Sequence, residues 1–149
     1  MNLPESIASL ELTRVAAKLH AAKHIVAGAP LDVEAAETAY RRFLALRALY
    51  PEATLVPTGM IDEFWHQHIL DTVQYANDCE RVFGGFMDHD PYFGGDSDEE
   101  AEANASAFEE TKRLYRETFG EELLGVAHRC SSKDCRGGGR SLPIRKRIP

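Results

Sequence analysis

The chain has 149 residues, a net charge of −7, 44% hydrophobic and 28% charged residues, which suits one globular domain able to bury about two-thirds of its unfolded surface. No stretch approaches the roughly 18 uninterrupted apolar residues of a membrane helix, and the start MNLPESIASLELTR carries acids where a secretory leader carries Lys or Arg. A cytoplasmic protein is therefore expected, and three cysteines (Cys79, Cys130 and Cys135), which cannot all pair in one chain, agree with reduced thiols rather than a disulfide framework.

The charge is unevenly spread. Residues 129–149 hold seven Lys or Arg against Asp134 alone, a net +6, which leaves −13 on residues 1–128. An acidic body repels nucleic-acid phosphates, so nucleic acid is an unfavoured partner. The basic C-terminal segment suits an acidic protein surface, or the acidic body itself.

Residues 4–27 form a first expected helix, with Ile7, Leu10, Val15, Leu19, Ala22 and Val26 at three- to four-residue steps and Gly28 and Pro30 ending it. Asp32 is an N-cap for a second, with Glu34 in its first turn and Val33, Ala36, Tyr40, Phe43, Leu44 and Arg47 along one side. Pro51 stops it. Residues 54–57 read as an extended connector, and Thr58 caps a third, central helix over about residues 59–83. On its helical wheel Ile61, Ile69, Thr72, Ala76, Cys79 and Phe83 fall within about 40° of Trp65, an apolar stripe. Gly84-Gly85 breaks the helix, and MDHDPYFGGDSD reads as an irregular loop. Ser97 with Glu100 is a capping box for a fourth helix, along which Ala101, Ala105, Phe108, Thr111, Tyr115 and Phe119 recur up to Gly120. Leu123, Leu124 and Val126 suit a final docking turn. The Gly, Ser and charge content of residues 129–149 reads as a flexible tail.

Four helices with short connections and almost no strand signal predict an all-α, single-domain bundle over residues 1–128, with the loop at 86–95 covering one end and a basic C-terminal tail.

Reactive chemistry concentrates in residues 57–95, which hold the lone Trp, Cys79 and three of the six His. On one regular helix His66 and His68 are about 160° apart, so both cannot reach one metal ion. His68 has Asp71 at i+3; His66 has Asp62 at i−4 and Glu63 at i−3. Glu63 and His66 have the spacing of di-metal carboxylate bundles, but the second such motif is missing. A mononuclear site needs a second element, which the loop supplies in Asp88, His89 and Asp90. His68, Asp71 and His89 then make a two-His, one-carboxylate set suited to Zn or Fe. The competing reading has the same imidazoles bonded to carboxylates and carbonyls, fixing the loop on the helix. Asp62, Trp65, His66, Tyr75, Cys79 and Asp90 complete the candidate site, with Trp65 and Cys79 reading first as core residues. In the tail His128, Cys130 and Cys135 offer three soft ligands, at wider spacing than the usual zinc cysteines and with no fourth ligand nearby.

The segment DEFWHQHILDTVQYANDCERVFGGFMDHDPYFG resembles the glycine-rich domain-containing protein-like family, whose members share a D-x-x-W-H-x-H helix, a Tyr and Cys two turns later, a Gly, and then H-x-P-Y-F-G. Here these are Asp62, Trp65, His66, His68, Tyr75, Cys79, Gly84, His89, Pro91, Tyr92, Phe93 and Gly94. The likeness covers residues 40–95 and, more loosely, 107–120. Asp90 departs from it, standing where bacterial relatives look apolar or aromatic. The resemblance implies an all-helical fold and no established reaction; plant members look like growth and stress-response proteins with added glycine-rich segments.

Two functional expectations follow. In the first, this is a non-enzymatic interaction or regulatory protein whose basic tail contacts an acidic partner, since no complete catalytic constellation is present. In the second, it is a metal-binding protein or metalloenzyme using His68, Asp71 and His89.

Overall fold

Leu10 and Leu12 both turn into the core (3% and 1% exposed), which a straight helix forbids because residues two apart lie about 200° apart on its wheel. The first expected helix therefore divides. In the computed structural model, which describes residues 2–95, 97–127 and 140–145, α1 (Glu5–Ala8) is closed at Ser9 and α2 (Thr13–Ala22) follows after a bend. A hairpin of β1 (Ile25–Val26) and β2 (Ala29–Pro30) comes next. Its turn residues, Ala27 and Gly28, have φ of 51° and 81°, the positive pair that a two-residue hairpin turn demands.

Asp32 caps α3 (Val33–Leu49), its carboxylate accepting from Ala35 N at 2.9 Å. The expected central helix is two: α4 (Gly59–Leu70) and α5 (Thr72–Phe83), broken at Asp71, where ψ is 72°. Asp71 ends α4 and caps α5 through Gln74 N at 3.4 Å, an Asp side chain competing with the helical backbone. Gly84, at φ 66°, ends α5. The loop that follows includes β3 (His89–Asp90), and α6 (Asp98–Phe119) begins at Ser97, whose hydroxyl accepts from Glu100 N at 3.1 Å.

The core forms where α3 crosses α4. Tyr40 and Phe43 lie against Phe64 and Trp65, with ring centroids 5.3 and 5.6 Å apart. Burial of these aromatics, each removing a large apolar area from water, dominates the stabilisation. Leu19 of α2, Tyr75 of α5 and Phe108 and Tyr115 of α6 close round them.

The final described element is β4 (Arg140–Ser141), antiparallel to β3 with His89 opposite Ser141 and Asp90 opposite Arg140. Beyond it Arg145 and Phe86 exchange backbone bonds of 2.9 and 2.8 Å. Ser141 is buried, held by Leu55 O and by the buried guanidinium of Arg47 at 3.2 Å. Burial lowers the pKa of Arg47 from its ordinary value.

The chain is thus mainly helical, but it departs from the expected four-helix, strand-free bundle. The described residues contain six helices and two small two-stranded antiparallel sheets. The C-terminal segment expected to hang free is, over 140–145, strapped onto the loop by main-chain bonds and ion pairs. No described helix is long and apolar enough to cross a membrane.

Candidate metal centre

Asp62 and His66 stand four residues apart on α4, hence on one face. The loop brings His89 down beside them. His89 Nε2 lies 3.0 Å from Asp62 Oδ1 and 3.1 Å from His66 Nε2, and His66 Nε2 lies 3.5 Å from Asp62 Oδ2. Among the described residues this is the one group of three His, Cys, Asp or Glu whose donor atoms gather within 4.8 Å. The Asp62 side chain is fully buried, that of His89 8% exposed and that of His66 29% exposed. The centre therefore sits inside the protein and meets its surface through His66.

The two imidazole nitrogens and the carboxylate, which meets His89 through Oδ1 and His66 through Oδ2, lie within reach of one ion. With metal–ligand bonds of ~2.0–2.2 Å, two ligands lie about 3.0 Å apart at a right angle and about 3.5 Å apart at the tetrahedral angle. A buried carboxylate also favours a cation beside it. A hydrogen bond between the facing Nε2 atoms of His66 and His89 has one nitrogen donating and the other accepting through its lone pair. Two imidazoles and one carboxylate suit Zn(II) or Fe(II) and leave coordination positions for an outside ligand.

His89 is held from three sides. The Trp65 ring meets it edge-on, centroids 4.4 Å apart. Trp65 Nε1 donates to Tyr75 Oη at 2.9 Å, and that hydroxyl donates to Met87 O at 2.6 Å, tying the loop to α4 and α5. Burial drives the Tyr75 pKa far above its ordinary value. The C-terminal strap grips both flanks: Arg145 pairs with Asp88, and Arg140 with Asp90 at 3.2 Å while lying 4.1 Å over the Phe93 ring. At the top of the adjoining segment Gly85 faces the strap so closely that an added Cβ would sit 2.5 Å from Arg145 O.

The expected ligand set His68, Asp71 and His89 is distributed over three places. The buried His68 bonds Tyr40 Oη through Nδ1 at 2.9 Å and Asp78 through Nε2 at 3.2 Å. A neutral ring carrying its proton on Nε2 satisfies both, and burial accordingly lowers its pKa despite the opposing pull of Asp78. Asp71 caps α5 and faces Arg14 at 3.8 Å. Only His89 reaches the cluster. The cause is the break at Asp71, which folds α5 back along α4 so that Asp78 takes the face of His68 and the loop descends on the face of His66. Cys79 is buried, reduced and pushed up in pKa by that burial. His128, Cys130 and Cys135 lie outside the described residues.

His66 also lines an open groove of about 1260 Å³, between the face of α4 from Gly59 to Leu70, the β1–β2 hairpin and residues 124–127. Of the seven large hydrophobics most exposed in the described protein, Ile25, Leu70, Leu124 and Val126 line this one groove, each at least 70% exposed. The docking turn expected around Leu123–Val126 is only partly realised, since Leu123 is buried while Leu124 and Val126 face outward.

Residues 7–116 match the family described as UCP032817-like, and the chain belongs to that family. It is similar to Glycine-rich domain-containing protein 1 of Arabidopsis thaliana, 33% identical over 97 residues, or 60% of this chain. It is likewise similar to Glycine-rich domain-containing protein 2 of the same plant, 36% identical over 66 residues, or 44% of this chain. These matches span 12% and 8% of the two relatives, so the chain corresponds to a small part of each. The resemblance read from the W-H-x-H helix is borne out. No solved structure matches the chain. The family match contains Asp62, His66 and His89, whereas the C-terminal strap lies beyond it.

Proposed function

We propose that the protein binds a single Zn(II) or Fe(II) ion through Asp62 Oδ, His66 Nε2 and His89 Nε2. One observation carries this reading: Asp62 and His66 of α4 and His89 of the loop bring one ligand atom each within 4.8 Å of one another, the Asp62 side chain being fully buried. The ion would neutralise Asp62 and knit the loop to α4, and its remaining positions would accept an exogenous oxygen or nitrogen ligand. The odd cysteine count and the buried thiol of Cys79 support a cytoplasmic setting. Cobalt(II) titration followed in the visible range tests the reading. Asp62→Asn and His89→Gln lower the affinity by at least ~10-fold, and His68→Gln, which lies on a different network, leaves it within a few-fold. Equal uptake by all four proteins would refute the assignment.

The interaction reading ranks second. It rests on the charge split between body and C-terminal segment, but Arg140 and Arg145 are already engaged with Asp90 and Asp88. An acidic partner would have to compete with that pairing. Pull-downs at rising salt with and without residues 129–149 test it, unchanged binding removing any role for the segment.

A further inference from the structure

We propose that the groove beside His66 takes an amphipathic acid, an unbranched acyl chain whose carboxylate completes the coordination of the metal. This inference rests on the metal reading and adds a ligand class to it. Two features of one cavity argue for it. The first is charge. A divalent ion held by one carboxylate and two neutral imidazoles keeps a net charge near +1, and His66 is the ligand that meets solvent, so the open coordination side favours an anionic oxygen donor. The second is shape. The α4 wall of the groove runs from Gly59 to Leu70, roughly 16 Å at the helical rise, and it passes His66 partway along. Ile25, Leu70, Leu124 and Val126 present apolar surface around it that no other described element covers. An apolar cavity with a few convergent polar groups is the general form of a small-molecule site. The remaining charged lining is mixed in sign: Glu63 lies 2.9 Å from His24 Nδ1, and Lys23 and Asp32 contribute one cation and one anion. A peptide or a second copy of the chain would cover the same apolar residues but has no need of the metal.

The full chain, loaded with cobalt(II), is titrated with decanoate, acetate and methyl decanoate while the visible spectrum and the heat of binding are recorded. Decanoate should perturb the cobalt spectrum and bind more than ~100-fold tighter than acetate, because each buried methylene contributes roughly a factor of four. Methyl decanoate and the metal-free protein should each show at least ~10-fold weaker binding. The double variant Ile25→Ser, Val126→Ser changes two exposed side chains; it should take up cobalt normally and lose at least ~10-fold in decanoate affinity. Normal cobalt uptake with decanoate no tighter than acetate overturns the acyl chain and leaves the metal reading intact. Decanoate binding that ignores the metal overturns the coordinated carboxylate. Failure to take up cobalt overturns both readings together.

Discussion

Replacing Tyr75 with Phe removes one oxygen and tests how the loop is held to the helices. The ring stays, with its edge contacts to His68 and Phe86 at 5.0 and 5.3 Å, so packing is preserved. What disappears is a hydroxyl that accepts from Trp65 Nε1 at 2.9 Å and donates to Met87 O at 2.6 Å. Trp65 and Met87 are both 0% exposed and Tyr75 2%, so water does not reach the stranded N–H and carbonyl. Each unsatisfied buried group costs about 1–3 kcal/mol, and the two together about 2–5 kcal/mol. In a domain of this size that corresponds to a fall in Tm of roughly 5–15 °C. Urea unfolding followed by fluorescence of the single Trp, which lies at the altered bond, gives the difference directly, with an unchanged m value expected. A loss below about 1 kcal/mol would refute the claim that this hydroxyl anchors the loop.

Gly94 has φ +94° and an added Cβ would lie 2.7 Å from Asn104 Cβ; Gly94→Ala should cost at least ~1–2 kcal/mol from the left-handed backbone alone, measured by the same unfolding. The double variant Arg140→Ala, Arg145→Ala releases ion pairs with Asp90 and Asp88 that are largely at the surface, so it should cost only about 1 kcal/mol of stability. Its metal affinity should nevertheless fall several-fold, read by cobalt titration, because the strap fixes the strand that carries His89. Burial raises the Cys79 thiol above its ordinary value of 9.0. With the other two cysteines replaced by Ser, Cys79 should therefore resist Ellman's reagent at pH 8 until urea is added. The sign for stability follows: the folded thiol holds its proton more tightly, so its contribution is complete below pH 9 and is lost as the pH rises further.

The scaffold was legible wherever local chemistry and tertiary packing agree. Asp32 and Ser97 cap α3 and α6 as their spacing announces, and Gly84 and Gly120 end α5 and α6 in the left-handed conformation. The misjudged feature is Asp71. Residues 59–83 carry an unbroken apolar stripe, and periodicity alone does not reveal that an Asp inside it will cap the second half. That single break separates His68 and Asp71 from His89. The folded-back α5 sets Tyr75 and Asp78 against His68, which Tyr40 of α3 also bonds, and Asp62 and His66 are left to meet His89. The four-residue spacing of Asp62 and His66, together with a loop histidine, was the signal available. The strands were not legible, since two-residue pairings such as His89 with Ser141 leave no alternation to read. The charge split between body and C-terminal segment did foreshadow the pairing of Arg140 and Arg145 with the loop acids.

The metal content of the full chain, purified without an affinity tag and analysed for every first-row transition metal, tests the central claim most directly. Close to one equivalent of zinc or iron is expected, taken up again after chelation and lost in Asp62→Asn. Less than about a tenth of an equivalent, with no uptake when Zn(II) or Fe(II) is supplied, would contradict it. Asp62, His66 and His89 would then be a hydrogen-bonded clasp between the loop and α4.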